Sequence, residues 1–172
     1  MQRYRGIILV DTNVILECWR VGAWAALAGG YSIETVEHCV TETQTGYQNR
    51  RAEQTVDQSI LRASLASPPH PVVDPQYAAL AVAAGEIDLD PGERALWAHA
   101  LTRTDSWVLC GPDKASMRCG VRLGVRDRIV ALESLLAAVG YRTRVELKKA
   151  YTAKWLAQTL SEMVVLEERQ ST

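Results

Sequence analysis

The sequence predicts an α/β protein, a three-layer α/β/α sandwich with a central, mostly parallel sheet. Short runs of apolar and β-branched residues over 6–10 and 107–110 are typical of strands buried on both faces of such a sheet. Longer stretches between them carry apolar residues at helical spacing, and alternating strands and helices favour a parallel sheet with helices on both sides. The apolar fraction of 48% suffices for a core, and 172 residues fit one compact domain.

The elements follow from composition and from residues that begin or end helices. Gly29 and Gly30 are expected to end the first helix, whereas Asp90 and Pro91 are typical of a helix N-cap and first position. In chain order we predict strand 6–10, helix 13–28, strand 31–35, one or two polar helices over 36–65, a break at 67–71, a brief strand 72–73, helix 76–84, helix 91–102, strand 107–110, a helix from 114, helix 127–139 and a tail helix over 145–168.

Several classes of function are disfavoured. The first apolar run ends at Val10 and is too short for a signal peptide or a membrane span, so we expect a cytoplasmic protein with no membrane partner. A net charge of −1 argues against a general nucleic-acid coat. No GxGxxG motif follows the first strand, and no P-loop is present. Buried reduced thiols are expected of Cys18, Cys39, Cys110 and Cys119, which form no CxxC pair.

Four carboxylates are candidates for one site. Asp11 follows the first strand and Asp113 follows strand 107–110, so both should emerge at the carboxyl edge of the sheet. Glu93 lies in the first turn of the helix before that strand, and Glu42 lies early in the helix after the second strand. Clustered carboxylates need a proton or a cation, and oxygen ligands without His or Cys favour Mg²⁺ or Mn²⁺.

Each of these residues also has a structural interpretation. Asp11 could cap the next helix, and Glu93 fits a capping box with Asp90. Glu42 alone is an ordinary helix glutamate, and Asp113 occupies a turn in which Asp is common. The hypothesis of a metal site therefore depends on the ordered set.

The ordered set resembles the PIN-domain family. That family opens with an apolar strand that runs into Asp, then places a glutamate in a helix after the second strand, a third acid in a helix after a small or glycine-containing turn, and a fourth after a late apolar strand. The matching segments are Ile7-Ile-Leu-Val-Asp11-Thr12-Asn13, Val40-Thr-Glu42, Gly92-Glu93-Arg-Ala-Leu96 and Val108-Leu-Cys-Gly-Pro-Asp113-Lys-Ala115.

The resemblance implies a PIN-like fold and a metal-dependent ribonuclease that hydrolyses RNA with a metal-activated water. It makes Asp11, Glu42, Glu93 and Asp113 both the catalytic residues and the ligands of Mg²⁺ or Mn²⁺, with Thr12 or Asn13 orienting Asp11 or a bound water. It also implies a homodimer, and small bacterial-type members are ribonuclease toxins paired with a cognate antitoxin. We assign 1–142 to the PIN-like domain and 143–172 to a C-terminal helical extension, packed on the same domain or on a partner.

Two departures from the family pattern stand out. Many members carry a second Asp beside the last one, where this chain has Lys114. The tail beyond Gly140 is also longer than a minimal PIN domain requires.

Basic and aromatic residues supply candidate RNA contacts. Lys114 and Arg118 follow Asp113 directly and could bind substrate phosphates, although a solvated helix face or salt bridges explain such a run equally well. The same run continues in Arg122, Arg126 and Arg128, and a weaker candidate comprises Arg50, Arg51 and Arg62. Stacking on bases is conceivable for Trp19, Trp24 and Trp155, but a core or a subunit interface is favoured.

Two alternatives stay open. A haloacid-dehalogenase-like phosphatase also opens with an apolar strand and Asp, but its second Asp is replaced here by Asn13. A non-catalytic PIN-like module for RNA binding or assembly would show binding without cleavage.

Overall fold

A computed structural model describes residues 3–45, 52 and 55–170. Its centre is a parallel three-stranded sheet with the strand order β2-β1-β3. The strands are β1 (Ile7–Val10), β2 (Ser32–Glu34) and β3 (Trp107–Cys110). Within this sheet Ile8 pairs with Ile33 on one side and with Val108 on the other. The α/β class and the parallel sheet are thus confirmed, with β1 as the central strand.

Nine α-helices are found in the described part of the chain. They are α1 (Thr12–Arg20), α2 (Trp24–Gly30), α3 (Glu37–Thr43), α4 (Gln58–Ser64), α5 (Asp74–Ala84), α6 (Pro91–Leu101), α7 (Lys114–Arg122), α8 (Leu132–Ala138) and α9 (Ala153–Gln170).

Two apolar clusters cover the two faces of the sheet. Successive side chains of a strand point to opposite faces, so Ile8 and Val10 enter one cluster and Leu9 enters the other. The first cluster also contains residues of α1, α2 and α8, while the second contains residues of α5, α6, α7 and α9. Helices therefore cover both faces, as expected for the wholly apolar strands β1 and β3.

Single parallel bridges extend the sheet at both sides. Val36 pairs with His70, and Leu109 pairs with Ile129. The brief strand predicted over 72–73 is wrong, because the extended pairing occurs at His70 instead. The helix predicted over 127–139 is also wrong in its first half, since residues 129–131 are extended and α8 begins at Leu132.

Two further helix predictions need correction. The first helix is divided, because the chain turns at Gly22, whose φ of 68° lies in the left-handed region that glycine tolerates. The tail helix begins at Ala153 rather than Val145, after a short 3₁₀ turn at Lys149–Tyr151. The division of the chain near residue 142 stays a prediction, although α9 packs against α7.

The remaining global predictions concern cysteines and membranes. The four cysteines named above are all free and buried, as predicted. Burial raises the pKa of the Cys39 thiol and that of Cys119 to about 12, so both are neutral thiols at physiological pH. No helix among the described residues has the length and apolarity needed to cross a membrane.

Candidate metal centre

Asp11 is fixed where β1 ends and α1 begins. Its side chain caps α1, with Oδ1 accepting a hydrogen bond of 2.7 Å from the backbone N–H of Val14. The residue is only 3% exposed, and no group in the described residues donates to its buried Oδ2. Gly111, just beyond β3, leaves room for this oxygen, since a Cβ there would lie 3.2 Å from Oδ2. Capping therefore accounts for one oxygen of Asp11 and leaves the other without a donor.

Glu93 shows the same division between its two oxygens. It forms a capping box with Asp90: the Glu93 amide donates to Asp90 Oδ1 at 2.8 Å, and Glu93 Oε2 accepts from the Asp90 amide at 3.4 Å. Glu93 is 4% exposed, and its buried Oε1 likewise has no donor among the described residues. The capping box anticipated from the sequence is present, but it leaves Oε1 unexplained.

Glu42 reaches the site from α3. Its Oε2 accepts a 2.5 Å hydrogen bond from the hydroxyl of Thr12, so Thr12 orients Glu42 rather than Asp11. Gly92 lies against this carboxylate, and a Cβ at that position would overlap Glu42 Oε2. The contact explains why the residue before Glu93 has no side chain. Asn13 is exposed, and its backbone carbonyl accepts a hydrogen bond from the Tyr151 hydroxyl.

Asp113 completes the set beyond β3. It caps α7, with Oδ1 accepting a 2.6 Å hydrogen bond from the backbone N–H of Ala115. The residue is partly buried. As expected for parallel neighbouring strands, the acids that follow β1 and β3 emerge at the same edge of the sheet.

The electrostatics of the site confirm that the carboxylates are neighbours. Burial raises the pKa of Asp11 to about 8, although the hydrogen bond from Val14 opposes this shift. Burial likewise raises the pKa of Glu93 to about 9. Repulsion from the charges of Asp90 and Asp113 adds to both pKa shifts, and that of Glu42 adds to the shift of Asp11. The site therefore favours groups that bring positive charge, either protons or a cation.

The sequence did not predict that Asp90 contributes to the charge of this site. It predicted Asp90 only as the N-cap of α6. Its side chain acts on both buried acids while it holds the Glu93 amide. The available signal was the Asp-Pro-Gly-Glu segment itself, because residues three apart in a first helical turn lie on one face.

The donor set fits a hard divalent ion held partly through water. In the described residues no three of the four predicted ligands bring oxygen atoms within 4.8 Å of one another. Mg²⁺ in proteins usually keeps several waters and uses one or two carboxylates directly, so a cluster of three close ligand oxygens is not required for it. Asp11 Oδ2 and Glu93 Oε1 are the two buried oxygens that no donor in the described residues satisfies, so they are the ones left for a proton or a cation.

The predicted substrate contacts are engaged within the protein. Lys114 lies 3.8 Å from Glu162 of α9, with both side chains at least half exposed. Arg118 donates to Glu167 and to Gln170 of the same helix. Salt bridges, the alternative weighed for this basic run, are thus present in the structure.

The other basic and aromatic candidates are mostly committed elsewhere. Arg128 stacks over the ring of Trp107, 4.7 Å from its centroid, and Arg62 pairs with Glu37. Arg50 and Arg51 lie outside the described residues. Trp24 is buried against Trp19, and Trp155 packs on the second apolar cluster. These tryptophans therefore belong to the core, the interpretation favoured from the sequence.

A second polar cluster joins β2, α6 and the segment 67–71. Ligand atoms of Glu34, His70 and His99 lie within 4.8 Å of one another, a spacing that could hold a metal. However, Arg103 donates to Glu34 Oε2 at 2.7 Å and lies 3.0 Å from Nε2 of His99. A guanidinium can only donate, so His99 is neutral here and accepts from Arg103. The arginine already supplies the positive charge, and we interpret the cluster as an ion-pair network.

An apolar groove lies away from the carboxylates. It has a volume of about 750 Å³ and runs between α5 and residues 85–89, with Tyr77, Leu80 and Ile87 in its apolar lining. Its acidic side chains, Glu86 and Asp88, are exposed, unlike the buried acids at the edge of the sheet. The acidic edge of the sheet therefore remains the better candidate site.

Comparison of the chain with protein-family models, with curated proteins and with solved structures finds no match. The function is accordingly argued from the geometry of the site and from the sequence motifs.

Proposed function

We propose that this protein is a metal-dependent endoribonuclease of PIN-like fold, with the site at the carboxyl edge of its sheet. The observation that carries the proposal is the pair of buried carboxylate oxygens, Asp11 Oδ2 and Glu93 Oε1, which have no donor among the described residues. Two such atoms beside further acids are costly unless a cation or protons neutralise them. A structural role as helix caps explains only the other oxygen of each residue.

Mg²⁺ or Mn²⁺ would be held by Asp11 and Glu93, with Glu42 and Asp113 binding directly or through water. When bound, such an ion activates water and stabilises negative charge that develops at phosphorus. The chain's own contribution is to fix the ligands. Caps at α1 and α7 hold the two aspartates, the capping box of α6 holds Glu93, and the Thr12 hydroxyl holds Glu42.

Two further features support the proposal. The four acids occur in the order of the PIN-domain motifs: Asp11 and Asp113 follow strands, and Glu93 lies in the first turn of α6. Glu42 lies in the last turn of α3, not early in its helix as predicted. The exposed Asn13 offers no carboxylate for the general-acid role that a haloacid-dehalogenase-like phosphatase needs two residues after its nucleophile. RNA as the substrate, the toxin role, a cognate antitoxin and a homodimer rest on the resemblance alone and stay predictions.

The test compares wild type with Asp11→Asn and Glu93→Gln on mixed structured and single-stranded RNA, in Mg²⁺, Mn²⁺ or EDTA. We expect cleavage by wild type with either metal, no cleavage in EDTA, and a loss of at least about 100-fold in both variants. Thr12→Val, which removes only the hydroxyl that orients Glu42, should lose roughly 10–100-fold. Calorimetric titration with Mn²⁺ should show binding by wild type and weaker binding by both acid variants.

Asp74→Asn is the matched control, because this exposed acid of α5 lies outside the site. Undiminished cleavage in Asp11→Asn and Glu93→Gln would refute the site. RNA binding without cleavage in any metal would favour the non-catalytic module, and a trapped aspartyl-phosphate at Asp11 would favour the phosphatase.

A further inference from the structure

Three basic residues form a row on one face of α7. Lys114, Arg118 and Arg122 are spaced four residues apart, so their side chains lie on the same side of the helix. The row begins next to Asp113, the acid that caps α7 at the candidate metal centre. A strand of nucleic acid that enters this centre would thus meet the basic row directly.

Acidic residues of α9 currently occupy this row. Glu167 accepts from both arginines: Arg118 Nε donates to Oε1, and Arg122 Nε donates to Oε2 at 2.8 Å. Glu162 lies near Lys114 at the other end of the row. One carboxylate on two guanidinium groups is the arrangement in which a phosphate could take its place, since arginine binds both anions through the same fork of N–H groups.

The part of α9 that carries these acids packs against α7 but is less buried than the first half of the helix. The buried residues of α9 are Leu156 and Thr159, both in its first half. Farther along, Val165 and Leu166 are 46% and 37% exposed. The Lys114–Glu162 pair is at least half exposed and contributes little to stability. The pairs of Glu167 are more sheltered, with Glu167 14% exposed and Arg118 and Arg122 25% and 24% exposed, so a phosphate must displace Glu167 to reach the arginines.

Arg122, unlike Arg118, also has hydrogen-bond partners outside α9 among the described residues. Arg122 Nη1 donates to the backbone carbonyls of Ala84 and Glu86 at 2.8 and 3.1 Å. Its guanidinium is therefore oriented by the body of the protein as well as by Glu167. An open groove of about 640 Å³ also lies beside Arg122, with Arg126 and Glu168 in its walls.

We propose that the basic row of α7 binds the phosphate backbone of single-stranded RNA, and that Glu167 and Glu162 of α9 occupy this row in the free protein and compete with the RNA. The inference rests on the proposed ribonuclease function for the choice of RNA. It makes the second half of α9 a built-in competitor that lowers the affinity for nonspecific polyanions.

The experiment measures binding of a short labelled single-stranded RNA by fluorescence anisotropy in EDTA, so that cleavage cannot interfere. Glu167→Ala releases two arginines, and Glu162→Ala releases only the loosely paired Lys114. Each phosphate neutralised on a single strand adds about 0.7 to the salt slope, so Glu167→Ala should steepen the slope by about 1.4. Its dissociation constant should then rise about sevenfold more than that of wild type over a fourfold increase in salt. Glu162→Ala should steepen the slope by about half as much.

Glu146→Ala is the matched control, because this exposed glutamate loses the same charge away from α7. Removal of the arginines in a triple variant, Glu167→Ala with Arg118→Gln and Arg122→Gln, should return the slope to that of wild type. Equal slopes and affinities for wild type, Glu167→Ala and Glu146→Ala, with unchanged circular dichroism, would overturn the inference.

The outcomes separate this inference from the proposed function. If the protein cleaves RNA with metal but Glu167→Ala does not change its RNA affinity, the proposed nuclease function is supported. The role of α9 as a competitor of RNA is then rejected. If Glu167→Ala binds RNA more tightly but no metal supports cleavage, the basic row is supported as an RNA-binding surface. The proposed nuclease function is then rejected.

Discussion

At the scale of residues, Asp11 and Glu93 each have one buried carboxyl oxygen for which the described residues offer no donor. Their raised pKa values mean that each stabilises the folded chain only while it is protonated. Because the folded-state pKa lies above the unfolded value, that stability is present at low pH. It is lost as pH rises from about 4 towards the folded-state values of about 8 and 9. A divalent ion would restore it at neutral pH.

Asp11→Asn should therefore stabilise the metal-free protein near pH 8, by roughly 1–3 kcal/mol, since it removes an ionising buried oxygen. Asparagine is as good an N-cap as aspartate, so the bond from Val14 is kept. Urea unfolding in EDTA measures the change. Near pH 5 the difference should shrink, and Mn²⁺ should stabilise wild type more than the variant. A variant less stable than wild type at both pH values would contradict this account.

The sequence predicted the placement of Asp11 and Asp113 because that placement follows from a general rule for parallel strands. It did not predict that Thr12 binds Glu42, or that Asp90 acts on both buried acids. Those relations depend on side-chain positions across three elements, which local composition does not specify. The cluster of Glu34, His70 and His99 was missed for the same reason.

At the scale of elements, the first turn of α6 is shaped by its contact with α3. Gly92 is an unfavourable helix residue on propensity alone, so its presence reflects the close approach of Glu42. The whole Asp90–Glu93 turn thus positions Glu93 and leaves space for the acid of the neighbouring helix.

Gly92→Ala should displace the Glu42 carboxylate and weaken Mn²⁺ binding by roughly 10-fold or more, with little loss of stability, because the overlap is with the end of a flexible side chain. Gly29→Ala is the matched control, since no atom lies within 4 Å of a Cβ at that position of α2. That change should leave metal binding unaffected and stabilise the helix by up to about 1 kcal/mol. Isothermal titration and thermal unfolding test both variants, and equal metal affinities would count against the contact.

Element boundaries were predicted well only where strong local signals mark them. Pro91 after the Asp90 cap marked the start of α6, and β3 was predicted with its observed bounds. Gly22 was overlooked as a break in the first helix, and Ile129 was assigned to a helix although it pairs with β3. In both segments the apolar pattern is compatible with a helix. A tertiary contact at Ile129 and the left-handed residue Gly22 determine the observed structure instead.

At the scale of the whole molecule, two clusters make stability depend on pH in opposite senses. Burial lowers the pKa of His99 to about 4, and nearby His70 adds to the shift. Its folded-state pKa is below the unfolded value, so its contribution is present above about pH 6.5 and is lost as pH falls towards 4. Asp11 and Glu93 have the reverse effect, because their contribution to stability falls as pH rises. Above about pH 6.5 the contribution of His99 is constant, so of these groups only the two acids change the stability with pH.

We expect the metal-free protein to lose stability from about pH 6.5 to about pH 8. His99→Gln should remove the contribution of His99, which below about pH 6.5 opposes the gain from the two acids. Relative to wild type, that variant should gain roughly 1–2 kcal/mol near pH 5 compared with pH 7, because glutamine takes up no proton. Denaturant unfolding at each pH measures both effects. If the free energies of unfolding of the two proteins differ by the same amount at every pH, His99 is not the group responsible for the acid-side effect.

The single bridges at His70 and Ile129 have a consequence for solubility. Strands rich in Ile, Val and Leu with open edges recruit other chains and start fibrils. Here the outer edge of β2 is covered by residues 66–70, whose amides at Ala66 and His70 donate to Ile33 and Thr35. The outer edge of β3 is covered by the segment that follows Ile129, through the amide of Val130. The folded protein thus has no long unpaired strand edge within the described sheet. The prolines that flank His70 lack an N–H group, so they disfavour the addition of a strand from another chain on that side.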